Sequence, residues 1–93
     1  MHDDMVMAAP AFLAGGGEMG ERIRRFEWRT TPLGPPEGWP VALRTAAGIV
    51  LASTQPTAVW WGEDLIQVFN DAWAASSGAA QARGLGRPAA ESW

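Results

Sequence analysis

Residues that could carry out acid–base, nucleophilic or metal chemistry are few in this chain of 93 residues. His2 is the only histidine, and at the start of the chain it has no neighbour suited to orient an imidazole for proton transfer or metal binding. The absence of cysteine excludes disulfides, thiolate catalysis and zinc–thiolate sites within the chain. We therefore predict no catalytic residue, no metal site and no enzymatic activity for the chain itself.

Three glycines, Gly15, Gly17 and Gly20, match the spacing of the dinucleotide-binding fingerprint. That fingerprint works by letting a helix N-terminus approach a pyrophosphate. Here Pro10 interrupts the preceding stretch, and no strand–helix–strand unit follows. We interpret the glycines as the end of a leader and the start of a helix.

The six tryptophans are the strongest candidates for ligand contact, because aromatic walls bind cofactors and cations. Trp28, Trp39 and Trp93 lie beside Pro-rich turns or helix ends, which favours a role as structural anchors. Adjacent strand residues point in opposite directions, so only one of Trp60 and Trp61 can face a cavity. Our candidates for lining a ligand cavity are Trp60, Trp61, Phe69, Asn70 and Trp73.

Two amphipathic helices are predicted, over residues 18–26 and about 40–53. In the first, Glu18 with Arg22 and Glu21 with Arg25 have the spacing of intrahelical ion pairs. Four prolines and two glycines between Trp28 and Pro40 forbid helix there and predict an ordered, irregular loop.

A β-hairpin is predicted from the apolar runs 57–61 and 65–69, which flank Gly62-Glu63-Asp64. Both runs are apolar at nearly every position, so both faces of the hairpin should be covered, while the second strand or its partner should expose backbone groups along an apolar edge. Asn70 is placed to cap a helix over 71–77, and Pro88 to open a helix that reaches Trp93.

Charge and hydropathy limit the partners of the chain. The formal net charge is −3, all seven basic residues are arginines, and only Arg22, Arg24 and Arg25 cluster. This distribution argues against nucleic-acid binding, and the cluster is typical of a solvated helix face, with an anionic partner as the alternative. The acidic start and the short apolar runs predict no signal peptide, no membrane insertion and a cytoplasmic location.

The order of motifs from about residue 17 to residue 93 resembles the N-terminal region of bacterial PAS-domain sensor histidine kinases. The distinctive piece is the loop 31–40, TPLGPPEGWP, and it is followed by WWG at 60–62, FNDAW at 69–73 and LGRP at 85–88. The structural residues of this pattern are Trp28, Pro32, Gly34, Trp39, Pro40, Gly62, Gly86, Pro88 and Trp93.

The resemblance implies a five-stranded antiparallel sheet with helices on one face, of which this chain holds the first half. We therefore expect an α+β chain with a flexible leader (1–17), a helical extension containing the Pro-rich loop (18–56) and an incomplete PAS domain (57–93). Its implied role is a non-catalytic signal-input segment upstream of kinase domains. The segment itself is expected to hold no cofactor, and the cofactor of the complete domain is left open.

As flanking helices often do in this family, the N-terminal helices are expected to form a homodimer, for which we single out Ile23 and Val50. The alternative function is a ligand-free interaction module built on the same dimer.

Overall fold

Residues 10–92 are described by a computed structural model of the chain, and the α+β class is confirmed. Four α-helices and one antiparallel hairpin occur in this range, together with four 3₁₀ turns. In chain order the elements are α1 (Gly17–Arg25), α2 (Val41–Ala52), β1 (Ala58–Trp61), β2 (Ile66–Phe69), α3 (Asp71–Ser77) and α4 (Ala79–Ala82). The 3₁₀ turns are Ala11–Leu13, Trp28–Thr30, Pro36–Gly38 and Ala89–Glu91.

Helix α1 buries one side against the rest of the chain through Met19 and Ile23. The predicted pairs between its glutamates and arginines are absent from the ion pairs of residues 10–92, which are Arg29–Glu27 and Arg87–Glu91. Arg24 instead donates through Nη1 to the carbonyls of residues 13 and 15, at 2.8 and 2.7 Å. Neutral carbonyls close to the helix thus hold one arginine of the cluster.

The predicted leader is only partly described, since residues 1–9 lie outside the described residues. Its remainder differs from a mobile segment, because Leu13 is fully buried and Phe12 packs on Trp39 with ring centroids 5.8 Å apart. In the sequence, the apolar pair Phe12-Leu13 shortly after Pro10 was the feature that could have indicated this packing. The structured part of the chain therefore begins earlier than the sequence predicted.

The Pro-rich loop is anchored by two buried indoles, Trp28 and Trp39. Their rings meet edge to face, with centroids 5.3 Å apart and planes at 83°. Each indole N–H donates to a backbone carbonyl five residues earlier. Trp28 donates to Ile23 and Trp39 donates to Gly34, and both distances are 2.8 Å. Burying two large rings with satisfied N–H groups gives this irregular segment a fixed shape.

Helix α2 packs across both strands of the hairpin and also against the turn at 11–13. Its apolar stripe, Leu43, Ala47, Val50 and Leu51, is buried in the shared core. Ile23 of α1 is likewise fully buried. The prediction that Ile23 and Val50 form a dimer surface is therefore wrong, because these stripes cover the core of their own chain.

The outer edge of β2 is paired, so β2 is not the strand with the expected exposed edge. The segment 86–89 runs antiparallel to it, with a bridge between Ile66 and Pro88. The backbone of Gln67 accepts from Gly86 at 2.9 Å and donates to Arg87 at 3.1 Å. We call residues 84–92 the strap. The pairing also explains why the predicted helix from Pro88 is reduced to a 3₁₀ turn.

The helical extension and the segment after residue 56 share one core. Side chains from α1, α2, the Pro-rich loop, the hairpin and the strap form one cluster of buried residues. Among the described helices, none combines the length and the apolar character needed to cross a membrane.

Candidate functional site

The hairpin register divides the five candidate residues between two faces of the sheet. Trp60 pairs with Gln67, and Trp61 pairs with Ile66. Because side chains alternate along a strand, Trp60 lies on the same face as Phe69, whereas Trp61 lies on the opposite one. Asn70, one position beyond Phe69, projects to the same side as Trp61.

We call Trp60, Phe69 and Trp73 the aromatic face. Phe69 is fully buried, and its ring lies 4.5 Å from that of Trp73, with the planes inclined by 31°. Trp60 is 45% exposed and stands diagonally across the strand pair from Phe69, within reach of an aromatic side chain. Because Phe69 is fully buried, only Trp60 and the half-buried Trp73 present surface that can stack against a planar apolar group.

Trp61 belongs instead to a small cleft of about 300 Å³ between the hairpin and the Pro-rich loop. Leu33 from the loop and Leu43 from α2 line the same cleft, and Glu63 and Asp64 lie at the hairpin end of it. The structure therefore separates the adjacent tryptophans, as strand geometry requires. Trp61 packs on the helical extension, and Trp60 is the one that joins the aromatic face.

Asn70 is a structural centre rather than an exposed polar contact, since it is only 3% exposed. Its Oδ1 accepts from the backbone N–H of Trp73 at 2.9 Å, which caps α3, and from that of Thr57 at 3.2 Å. Its Nδ2 donates to the carbonyls of residues 50, 53 and 55. These five contacts leave the amide little capacity for a ligand.

Gln67 is a buried polar residue that the sequence analysis did not identify. It is fully buried, and its Nε2 lies 3.2 Å from the carbonyl of Gly84 and 3.2 Å from Oγ of Ser92. The amide therefore ties the aromatic side of the hairpin to the strap. A glutamine within an otherwise apolar strand was the signal that could have identified it.

Asp71 is the second residue that was missed. Its carboxylate reaches α1, where Oδ2 accepts from the backbone N–H of Glu18 at 3.1 Å and Oδ1 from the backbone N–H of Met19 at 2.7 Å. An anion at a helix N-terminus satisfies free N–H groups and interacts favourably with the helix dipole. No local pattern indicates a partner more than 50 residues away.

The structural residues of the sequence pattern are found mainly at turns and anchors. Gly34 and Gly62 have φ values of +70° and +81°, which favour glycine, and Gly86 has φ +77°. A Cβ on Gly86 would collide with the ring of Phe26. Trp93, like His2, lies outside the described residues.

Groups for metal binding are not brought together within residues 10–92. No cluster of three His, Cys, Asp or Glu side chains occurs there. The aromatic side chains of the candidate site can stack on or pack against another molecule, and its amide side chains hydrogen bond within the chain.

No protein family matches the chain, and neither a curated protein nor a solved structure matches it significantly.

Proposed function

We propose that this chain is a non-catalytic signal-input segment of a bacterial PAS-type sensor protein, acting upstream of a histidine kinase. The observation that carries the proposal is the asymmetry of the hairpin. One face carries Trp61, which lines a cleft together with Leu43 of α2, and the other carries Trp60, Phe69 and Trp73. The exposed ring of Trp60 on that second face gives a sensor a surface on which a planar ligand can stack.

The edges of the hairpin support the same assignment. β2 is flanked by β1 on one side and by the strap on the other. The register directs the backbone N–H and C=O of Ala58 away from β2, and residues 10–92 place no strand beside that outer edge of β1. On this proposal, further strands of a longer protein pair there and complete the sheet.

The first turn of α3 offers a route from the aromatic face to the N-terminal helices. Trp73 contacts Phe69, and Asp71 in the same turn holds the start of α1. A ligand that favours one position of Trp73 therefore also favours one position of α1. Such a bias requires different affinities for the two states, which is the condition for any population shift.

A hybrid kinase tests the proposal. Residues 10–92 replace the corresponding half of the PAS domain in a bacterial sensor kinase whose signal is known, and autophosphorylation is measured with and without Trp60→Ala. Glu63→Ala, in the exposed hairpin turn, is the matched control. We expect Trp60→Ala to change the level of autophosphorylation and Glu63→Ala to leave it unaltered.

The assignment fails if the hybrid kinase is active but neither substitution changes its autophosphorylation. Residues 10–92 would then act only as a structural spacer. The assignment also fails if the hybrid behaves like one in which a Gly-Ser linker replaces the segment. Circular dichroism of each hybrid establishes that the compared proteins are folded.

The alternative, a ligand-free dimerisation module, is favoured by one observation. Val41 and Ile49 of α2 are 67% and 59% exposed, and they lie two turns apart on the same side of the helix. Self-association that depends on Ile49, together with an inert aromatic face, would favour this function over sensing.

A further inference from the structure

A cleft of about 430 Å³ is lined in part by residues of the strap. It is bordered by the C-terminal half of α1, by the turn at 30–32 and by the strap. Its volume is within the range of small-molecule sites. Neither Trp60 nor Trp73 lines it, so it is a different place from the candidate sensor surface.

The cleft concentrates positive charge in a protein of net charge −3. Arg22, Arg83 and Arg87 line it, against a single carboxylate, Glu91. Glu91 accepts from Arg87 Nη1 at 3.3 Å. Arg22 and Arg83 make no ion pair with any of the described residues. Two guanidinium groups are thus available to one ligand.

The floor of the cleft is apolar and firmly held. Ile66 and Leu85 are almost fully buried there. Phe26 packs over the bare backbone of Gly86, and the strap is hydrogen bonded along β2 at residues 86, 87 and 89. Arg87 therefore lies on a strap whose backbone is held in place, and the exposed Arg22 and Arg83 line the same cleft.

We propose that this cleft binds a small amphiphilic anion, with its carboxylate or phosphate group on Arg22 and Arg83 and its apolar body against Phe26 and Pro88, which line the cleft and are partly exposed. A guanidinium group can donate two parallel hydrogen bonds to the oxygens of a carboxylate or phosphate. Two arginines around one anion therefore bind it more strongly than a single exposed arginine would. The apolar floor selects an anion carrying an aromatic or aliphatic group over a bare inorganic ion. This inference is independent of the proposed sensor function.

The test titrates the ¹⁵N-labelled chain with phenyl phosphate, inorganic phosphate and phenol at one low ionic strength. We expect phenyl phosphate to shift the amide resonances of Leu85 and Gly86 and to bind more tightly than either comparison compound. Arg22→Gln with Arg83→Gln should weaken phenyl phosphate by about 10-fold or more, the usual effect of losing a charge-assisted hydrogen bond. Arg25→Gln, on the same helix but outside the cleft, should leave the affinity unchanged.

Glu91→Gln supplies a test in the opposite direction. Removing the carboxylate that pairs with Arg87, the only one in the cleft among residues 10–92, releases Arg87, so phenyl phosphate should bind more tightly. The proposal is overturned if phenyl phosphate leaves these amides unshifted, if inorganic phosphate binds equally well, or if Arg25→Gln weakens binding as much as the double variant. Weaker binding by Glu91→Gln would also contradict it. The amide spectra themselves show that each variant is folded.

Discussion

Asp71 accepts a 2.7 Å hydrogen bond from the backbone N–H of Met19, joining the first turn of α3 to the first turn of α1. Helix α1 follows Gly16, which has no side chain to accept from the free N–H groups of that turn. The carboxylate of Asp71 supplies from a distant part of the chain what an N-cap residue normally supplies locally.

Asp71→Ala should therefore lower the free energy of unfolding by about 1–2 kcal/mol, the cost of losing a helix cap. Asp71→Asn should cost less, because the amide oxygen can still accept one of the two bonds. Urea unfolding followed by tryptophan fluorescence measures both. Asp64→Ala in the exposed hairpin turn is the control and should change stability by less than about 0.5 kcal/mol. Equal effects at 64 and 71 would show that the link to α1 contributes nothing.

Gly86→Ala and Gly62→Ala separate backbone strain from packing. Both glycines have positive φ, so each substitution carries a strain of about 1 kcal/mol. Only the Cβ at 86 meets another group, the Phe26 ring, because the space around residue 62 is open. We expect Gly86→Ala to cost roughly 1–3 kcal/mol more than Gly62→Ala, the usual penalty of overpacking. Matching losses in urea unfolding would mean that the strap is not seated against Phe26.

Asn70→Asp should destabilise the chain strongly although it preserves the shape of the side chain. The amide N–H₂ of Asn70 faces three backbone carbonyls, and a carboxylate oxygen there would have nothing to accept from. We expect a loss of about 3 kcal/mol or more, as for other unpaired buried charges. Hydrogen exchange at the amide of Trp73 should also accelerate as α3 loosens. A stability close to that of the wild type would contradict the central role of Asn70.

Two isoleucines, one buried and one exposed, allow the contribution of the N-terminal helices to folding to be separated from their contribution to self-association. Ile23 is fully buried and Ile49 is 59% exposed. Ile23→Asp should unfold the monomer, because it places a carboxylate in the core. Ile49→Asp should alter stability by only about 0.5 kcal/mol and should reduce self-association if the outer side of α2 is a docking surface. Circular dichroism and analytical ultracentrifugation distinguish the two effects. A folded Ile23→Asp variant would contradict the packing of α1.

Local patterns predicted much of the secondary structure. The hairpin lies within one residue of its predicted limits, since its strands differ sharply in composition from the turn Gly62-Glu63-Asp64. Asn70 caps α3 because strand and helix adjoin at a residue suited to that role. The limits of α2 followed from the spacing of its apolar residues.

Contacts between distant segments were not predictable in the same way. Nothing near Pro88 in sequence shows that its segment pairs with β2. A helix was expected there because local preferences favour one, but the tertiary pairing leaves only a 3₁₀ turn. The same applies to Asp71, whose partners lie in α1, and to Leu13, buried by elements that follow it. Within the candidate site, strand alternation predicted that Trp60 and Trp61 diverge, but only the register determines which of them joins Phe69.

The perpendicular packing of Trp28 and Trp39 has a spectroscopic consequence. Two indole chromophores held 5.3 Å apart and non-parallel couple their excited states, which produces an exciton contribution in circular dichroism. Because the pair joins the two ends of the Pro-rich loop, this contribution reports the closure of a segment that has almost no helix or sheet of its own. Its loss on heating, compared with the loss of helical ellipticity, would show whether the loop opens before the core melts.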